Sequence, residues 1–200
     1  MKVAIKMTKE EIAKIIDHTA LKAESTHDQI VKLCDEAREY GFGTVCVAPC
    51  WIEVALQKLS GTEIKVATVI GFPLGNTLSS VKAVEAQKSL KVGARELDMV
   101  INIGALKSGD DQTVEKDIRA VVDTASQYDG IKVKVILENA LLSNEERIKG
   151  CKLSEEAGAH YVKTSTGFSS AGATPVHLEI MRNNFPRGVK MSGGQKQRLA

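Results

Sequence analysis

The feature that most constrains the fold is a repeated order of short β-branched apolar runs, each followed by a turn and a helical pattern. Six such runs begin at Gly43, Ile64, Arg95, Ile131, Ala159 and Arg187. Residues 66–70 and 133–137 are mostly apolar at odd and even positions alike, which is typical of strands buried on both faces of a parallel sheet. The alternation of strands with helices predicts an α/β protein.

The segment IIDHTALK adds a first strand at residues 16–19 and brings the predicted number to seven. Helix starts are indicated by capping-box spacing at Thr8 and Glu11, Thr26 and Gln29, and Ser143 and Glu146, and by Thr174 before Pro175. Two apolar stripes are expected to face the sheet: Ile30, Leu33, Cys34 and Ala37 in one helix, and Leu78, Val81, Val84 and Leu90 in another. No linker-like stretch interrupts the chain, so we expect one domain over residues 1–200.

The length of 200 residues lies at the lower limit for an eight-stranded α/β barrel, which typically takes about 250. The pattern alone leaves an open doubly wound sheet and a closed barrel as alternatives. No G-x-G-x-x-G follows the early strands, which disfavours a dinucleotide-binding open sheet.

Composition excludes several function classes. Apolar residues make up 43% and charged residues 26%, with a net charge of +2, which gives no general case for binding nucleic acid or a membrane surface. No apolar run approaches the length of a membrane span or a signal peptide.

The four cysteines form no C-x-x-C pair, so we expect reduced thiols in a cytoplasmic protein. The segment from Arg182 to Ala200 has five basic residues and no acid, and it is either a solvated tail or a site for an anion such as phosphate.

Polar residues at the carboxyl ends of the predicted strands are the first candidates for chemistry, because sites in parallel α/β folds lie there. These residues are Asp98, Glu138, Lys163 and Lys190. A lysine on an apolar strand loses hydration, and desolvation or a neighbouring positive charge lowers its pKa toward a nucleophilic amine. Lys163 and Lys190 could form such a pair, although both could instead reach the solvent.

The remaining candidates have a structural alternative beside the functional one. The presence of an acidic residue at Asp98 is explained equally well by a hydrogen bond to a neighbouring strand end and by a catalytic role. For Glu138, a structural ion pair with a buried lysine is the better supported alternative. The turns KTSTGF and MSGG offer hydroxyls and backbone amides of the kind that hold phosphate. Cys46 reads as a core residue, and the four histidines show no metal-ligand spacing. The ending MSGGQKQRLA is similar to the signature of ATP-binding cassette ATPases, but the chain has no Gly-Lys-Ser/Thr for a P-loop.

The ordered motifs of the chain resemble those of the deoxyribose-phosphate aldolases, which are class I aldolases with a (β/α)8 TIM barrel. These motifs are IIDHTALK, GTVCVAP, VATVIGFPLG, ELDMVINIGALKSGD, KVILEN, YVKTSTGF and GVKMSGG, and the resemblance covers about residues 8–194. It implies the reversible cleavage of 2-deoxy-D-ribose 5-phosphate to D-glyceraldehyde 3-phosphate and acetaldehyde, in deoxyribose phosphate and carbohydrate catabolism. It also implies that no metal or other cofactor is needed.

The same resemblance assigns roles to single residues. Lys163 would form the Schiff base, Lys190 would lower the pKa of Lys163, and Asp98 would act with Lys190 through water as general acid and base. Asp17 is expected near the substrate hydroxyls. The expected substrate-binding residues of the two turns are Thr164, Gly167, Gly193 and Gly194.

The chain departs from the family in two places. The turn after the fifth strand reads ENALL, where an acidic residue followed by threonine is more usual. The resemblance stops at Gly194, so we expect an incomplete barrel that lacks the eighth β/α unit, with two open sheet edges and part of the phosphate site missing.

Three functions follow as hypotheses. The leading one is an active aldolase with small phosphosugar and aldehyde substrates, and without nucleic acid or membrane partners. The second is a catalytically silent aldolase-like fragment that pairs through its open edge, and homo-oligomer formation is left open. The third is a Schiff-base barrel enzyme that acts on another aldehyde.

Overall fold

The computed structural model describes residues 7–193, which form two compact units. The first unit contains the chain up to Thr68 together with Lys91–Glu96, and the second contains Val69–Leu90 and the chain from Leu97 onward. The strands are β1 Asp17–Ala20, β2 Thr44–Val47, β3 Lys65–Ile70, β4 Glu96–Val100, β5 Lys132–Ile136, β6 Tyr161–Lys163 and β7 Val189–Lys190. The helices are α1 Lys9–Ala13, α2 His27–Tyr40, α3 Ile52–Lys58, α4 Ser79–Val92, α5 Ile103–Lys107, α6 Asp111–Ser126, α7 Asn144–Glu156 and α8 Pro175–Asn184.

In the first unit, β1, β2 and the first four residues of β3 are parallel neighbours, with Asp17 opposite Thr44 and Thr44 opposite Lys65. Every residue of β2 is buried, as expected for a strand covered on both faces. The first strand was predicted one residue too early. Ile16 donates its amide hydrogen to the carbonyl of Ala13, so it still belongs to the turn that ends α1.

The predicted helix starts are confirmed. All three capping boxes are present, and Thr174 caps α8 with Pro175 in the first turn. The four apolar residues predicted to face inward from α2 are its buried ones: Ile30, Leu33, Cys34 and Ala37.

The second unit carries the remaining strands in chain order, with β5, β6 and β7 parallel. The end of β4 joins β5 through the Ile101 amide, which donates to the carbonyl of Ile136. Every residue of β4 is buried, and so are the last four of β5. Strands covered on both faces hold their polar side chains away from bulk water, which is the setting for the site below.

The prediction for the face of α4 is wrong for Leu78, Val81 and Val84 and correct for Leu90. Leu78, just before the helix, is 71% exposed, and Val81 and Val84 are 48% and 55% exposed. The buried face contains Leu90 together with Lys82, Ala86 and Ser89. Lys82 accounts for this orientation, because its ammonium donates to the carbonyls of Gly75 and Val100 and to Asp117 Oδ2.

The predicted α/β class is confirmed by this alternation of parallel strands and helices. Among the helices described between residues 7 and 193, none combines the length and apolar character needed to cross a membrane. Cys46 is fully buried on β2, as predicted for a core residue.

Candidate active site

A buried carboxylate between two lysines forms the centre of the candidate site. Asp98 lies in the middle of β4, and its side chain has no solvent exposure. Lys163 Nζ lies 2.6 Å from Asp98 Oδ2, and Lys134 Nζ lies 2.9 Å from Oδ1. The three strands β4, β5 and β6 thus each bring one charged side chain to the same point, within one compact unit.

The ionisation of Asp98 is set by opposing effects. Burial raises the pKa of Asp98, but the charges and hydrogen bonds of Lys134 and Lys163 outweigh burial and hold the pKa below its ordinary value. The side chain is therefore a carboxylate at neutral pH. It can stabilise a positive charge that stays on Lys163 Nζ during a reaction.

Lys190 lies next to Lys163 across the β6–β7 pair. The two residues are register partners, and the amide of Thr164 donates to the carbonyl of Lys190 at 3.1 Å. Register partners on parallel strands are about 4.8 Å apart and project to the same face of the sheet. The two lysines therefore lie on neighbouring strands, as their proposed pairing requires, and the effect of one on the other stays a prediction.

Sequence reasoning missed Lys134. It occupies the centre of β5 between the buried residues Val133 and Val135, and it is itself fully buried. A lysine inside an otherwise apolar run was the available signal, since it was the same signal that singled out Lys163. Lys134 was passed over because it lies two residues before the end of its strand.

The turns after β6 and β7 are tied together by hydrogen bonds between Thr164, Ser165 and Ser192. The Thr164 hydroxyl donates to the carbonyl of Ser192 and accepts from its amide, both at 2.9 Å. The Ser192 hydroxyl lies 3.1 Å from the amide nitrogen of Ser165 and 2.6 Å from its carbonyl oxygen. Thr164 therefore fixes the two turns against each other.

Three glycines converge beside these bonds. A Cβ placed on Gly193 would lie 2.9 Å from the Cβ of Ser165, 3.4 Å from the Cα of Gly172 and 3.5 Å from the Cα of Gly167. Gly167 and Gly193 both have a left-handed backbone, with φ of 87° and 76°. Backbone this close excludes side chains at these positions, and glycine-rich turns of this kind are often the ones that present amide groups to an anion. Gly172 was not among the predicted site residues, although it follows the same turn.

Two predicted residues are not part of this arrangement as described. Asp17 begins β1 in the first unit, and its role near the substrate stays a prediction. Gly194 lies outside the described residues, as do Lys196 and Arg198 of the basic segment.

The predicted ion pair between Glu138 and a buried lysine is wrong. Glu138 is buried, and its Oε2 accepts hydrogen bonds from the amide and the hydroxyl of Thr166. Within residues 7–193 the carboxylate thus binds the turn that follows Lys163 and no ammonium group. Among residues 7–193, no group of three or more His, Cys, Asp or Glu side chains is placed to hold a metal ion.

These features define an α/β protein with a lysine-centred site at the carboxyl ends of parallel strands. The model of the DeoC/LacD family aldolases matches residues 11–200, and the chain therefore belongs to that family. It is 56% identical over 185 residues to the deoxyribose-phosphate aldolase of Geobacillus sp. strain WCH70, an alignment that covers 92% of this chain and 82% of that protein. The Listeria innocua deoxyribose-phosphate aldolase is 54% identical over the same shares.

The likeness extends to solved structures. The chain superposes on the deoxyribose phosphate aldolase of Aeropyrum pernix with a TM-score of 0.86 and 35% identity, covering 94% of this chain and 79% of that one. The solved aldolases that it resembles have a TIM-barrel fold. The chain is shorter than these relatives.

Proposed function

We propose that this chain cleaves 2-deoxy-D-ribose 5-phosphate reversibly to D-glyceraldehyde 3-phosphate and acetaldehyde, with Lys163 as the Schiff-base residue. The observation that carries the proposal is the buried contact of Lys163 Nζ with Asp98 Oδ2 at 2.6 Å, on strands of a family aldolase. Relatives of more than 50% identity bear the name of this activity.

The first step is attack of the neutral Lys163 amine on the C1 aldehyde of the open-chain sugar. The carbinolamine formed loses water and leaves an iminium between Lys163 Nζ and C1. This cation lies beside the Asp98 carboxylate, whose pKa the neighbouring lysines hold below its ordinary value. A preorganised anion stabilises such a charge strongly in a site away from water.

Carbon–carbon cleavage then follows from the iminium. The C3 hydroxyl loses its proton, the C2–C3 bond breaks, and its electron pair moves to C2 and the iminium to give an enamine. The C3–C5 portion leaves as glyceraldehyde 3-phosphate. Protonation of C2 and addition of water to the restored iminium release acetaldehyde and regenerate the Lys163 amine. We assign the proton transfers to Lys190 and Asp98, acting through water.

Lys134 is a positioning residue in this scheme. Lys134 Nζ lies 2.9 Å from Asp98 Oδ1, the carboxylate oxygen that Lys163 does not contact, so two cations share the carboxylate.

Substrate binding belongs to the turns after β6 and β7. We propose that the phosphate binds to backbone amides of these turns around Gly167, Gly172 and Gly193, where the two turns approach each other closely. Thr164 holds these two turns together, and the family resemblance adds Gly194 to the proposed phosphate-binding residues. Asp17 is proposed to contact the sugar hydroxyls.

We propose a cytoplasmic location and self-association for this protein, each on one observation. The four cysteines are free, which fits the reducing cytoplasm. The A. pernix relative is tetrameric, and we propose that this chain also self-associates, with residues 1–200 as one domain. A catalytically silent chain is disfavoured. Buried charges such as Asp98, Lys134 and Lys163 can often be replaced by apolar residues without loss of stability, so stability alone does not explain why this chain has them.

The test is a cleavage assay with deoxyribose 5-phosphate, in which a dehydrogenase that consumes glyceraldehyde 3-phosphate reports the product. Lys163→Met should abolish product formation, because no other residue supplies the iminium. Lys152→Met is the matched control on the exposed face of α7 and should retain wild-type turnover. Equal activity of the Lys163→Met variant and the control would contradict the proposal.

A further inference from the structure

Glu138 has a backbone conformation that glutamate rarely adopts. Its φ of 57° and ψ of 64° lie in the left-handed region, and it is the only residue other than glycine with a positive φ between residues 7 and 193. Glycine adopts this conformation without the steric conflict that a Cβ creates. A glutamate that is kept there, and buried, points to a use for its side chain.

The side chain of Glu138 reaches the turn after β6 through two hydrogen bonds. Its Oε2 accepts from the amide of Thr166 at 3.2 Å and from the Thr166 hydroxyl. Because that hydroxyl gives its hydrogen to Glu138, it can accept from the amide of Phe168, which lies 3.1 Å away. The direction of every bond in this chain is thus fixed by the carboxylate.

The backbone on either side of Glu138 is bound to the same segment. The Leu137 amide donates to the carbonyl of Lys163, and the Asn139 amide donates to the carbonyl of Thr164, both at 2.9 Å. The side chain of Glu138 extends this attachment two residues further along the turn. Lys163 and the turn that follows it are therefore aligned by the end of β5.

The opposite side of the turn is held by Ser192 through its bonds to Ser165. Gly167 directly follows these two attachments, between Thr166 and Phe168, and its amide is not a donor in any of these contacts. The Cα of Gly167 lies 3.5 Å from the position of a Cβ on Gly193. The position of Gly167 relative to Gly193 thus depends on how firmly Glu138 holds Thr166.

We propose that Glu138 is a positioning residue, which holds Thr166 so that the amides around Gly167 stay aligned to bind the phosphate of the substrate. This inference rests on the proposed function. The proposed role of Glu138 concerns the binding of the substrate phosphate and not the chemical steps at Lys163, so the two can be tested separately.

The test compares deoxyribose 5-phosphate with unphosphorylated deoxyribose as substrates of the full chain. Glu138→Gln should raise KM for the phosphorylated sugar by about tenfold, the loss expected for one charge-assisted hydrogen bond, with kcat nearly unchanged. The turnover of deoxyribose should not change, so the preference for phosphate falls by the same factor.

Further variants separate positioning from a general structural role. Thr166→Val should reproduce the loss of preference, Thr166→Ser should restore it, and combining Glu138→Gln with Thr166→Val should add little. Glu138→Gly relieves the left-handed conformation but removes the carboxylate, so it should lose the preference while remaining folded. Glu179→Gln makes the same chemical change on the exposed side of α8 and is the matched control.

Two results would overturn the inference without touching the proposed function. One is a Glu138→Gln variant with the same phosphate preference as Glu179→Gln. The other is an equal loss of activity on both sugars, which would indicate general damage to the site. A wild-type chain that cleaves neither sugar would instead contradict the proposed function itself.

Discussion

The buried ion pair between Lys82 and Asp117 provides a test of how the second unit is held together. The exposed fraction of the side chain is 0% for Lys82 and 1% for Asp117, and their charged atoms are 2.5 Å apart. Burial lowers the pKa of Lys82, against the opposing effect of Asp117. The ammonium also donates to the carbonyls of Gly75 and Val100 at 2.7 Å and 2.9 Å.

Lys82→Met removes the ammonium and leaves the Asp117 carboxylate buried without its cation. Breaking a buried pair in this way lowers the free energy of unfolding by about 3–5 kcal/mol, and the two carbonyls that lose their donor place the expectation at about 4 kcal/mol or more. The measurement is urea unfolding followed by circular dichroism at pH 7.

The matched control is Lys107→Met. Lys107 pairs with Glu146 at 3.0 Å, but their side chains are 48% and 24% exposed, so the expected loss is about 1 kcal/mol or less. Replacing both Lys82 and Asp117 by methionine and leucine should recover much of the stability, since no unpaired charge remains. A Lys82→Met variant within about 1 kcal/mol of the control would refute the reasoning.

Three further predictions concern the site. Lys134→Met removes one of the two cations that contact Asp98, so Schiff-base formation on Lys163 should require a higher pH than in the wild type, measured by adduct yield against pH. The pKa of Asp98 is lower in the folded chain than in the unfolded chain, so on acidification the unfolded chain binds a proton at Asp98 at a higher pH than the folded chain does. The free energy of unfolding should therefore fall as the pH drops below about 4. The Asp98→Asn variant should show a weaker fall in urea titrations at pH 6 and pH 3. Gly193→Ala places a Cβ 2.9 Å from that of Ser165, so KM for deoxyribose 5-phosphate should rise by roughly tenfold, and an unchanged KM would contradict the phosphate site.

Local signals in the sequence account for most of the fold that was predicted correctly. The capping boxes at Thr26 and Ser143 depend on residues three positions apart, so the sequence contains both partners of each interaction. The same holds for strands such as β2, where consecutive apolar residues indicate burial on both faces. Lys163 and Lys190 were found because each ends such a strand.

The errors arise where a polar side chain is buried by a distant partner. The apolar stripe of α4 predicted Val81 and Val84 to face inward, but Lys82 is buried because Asp117, 35 residues away, neutralises it. Hydrophobic periodicity assigns a lysine to solvent, since it contains no information about such a partner. The prediction for Glu138 failed for the same reason, because its partner Thr166 lies 28 residues away.

The central claim is that Lys163 forms the Schiff base, and covalent trapping tests it most directly. The purified chain is incubated with acetaldehyde and borohydride, digested, and analysed by mass spectrometry. Reduction of the iminium should add one ethyl group to Lys163 and leave Lys134 and Lys190 unmodified. An adduct confined to another lysine, or a folded chain with Lys163 unmodified, would contradict the account.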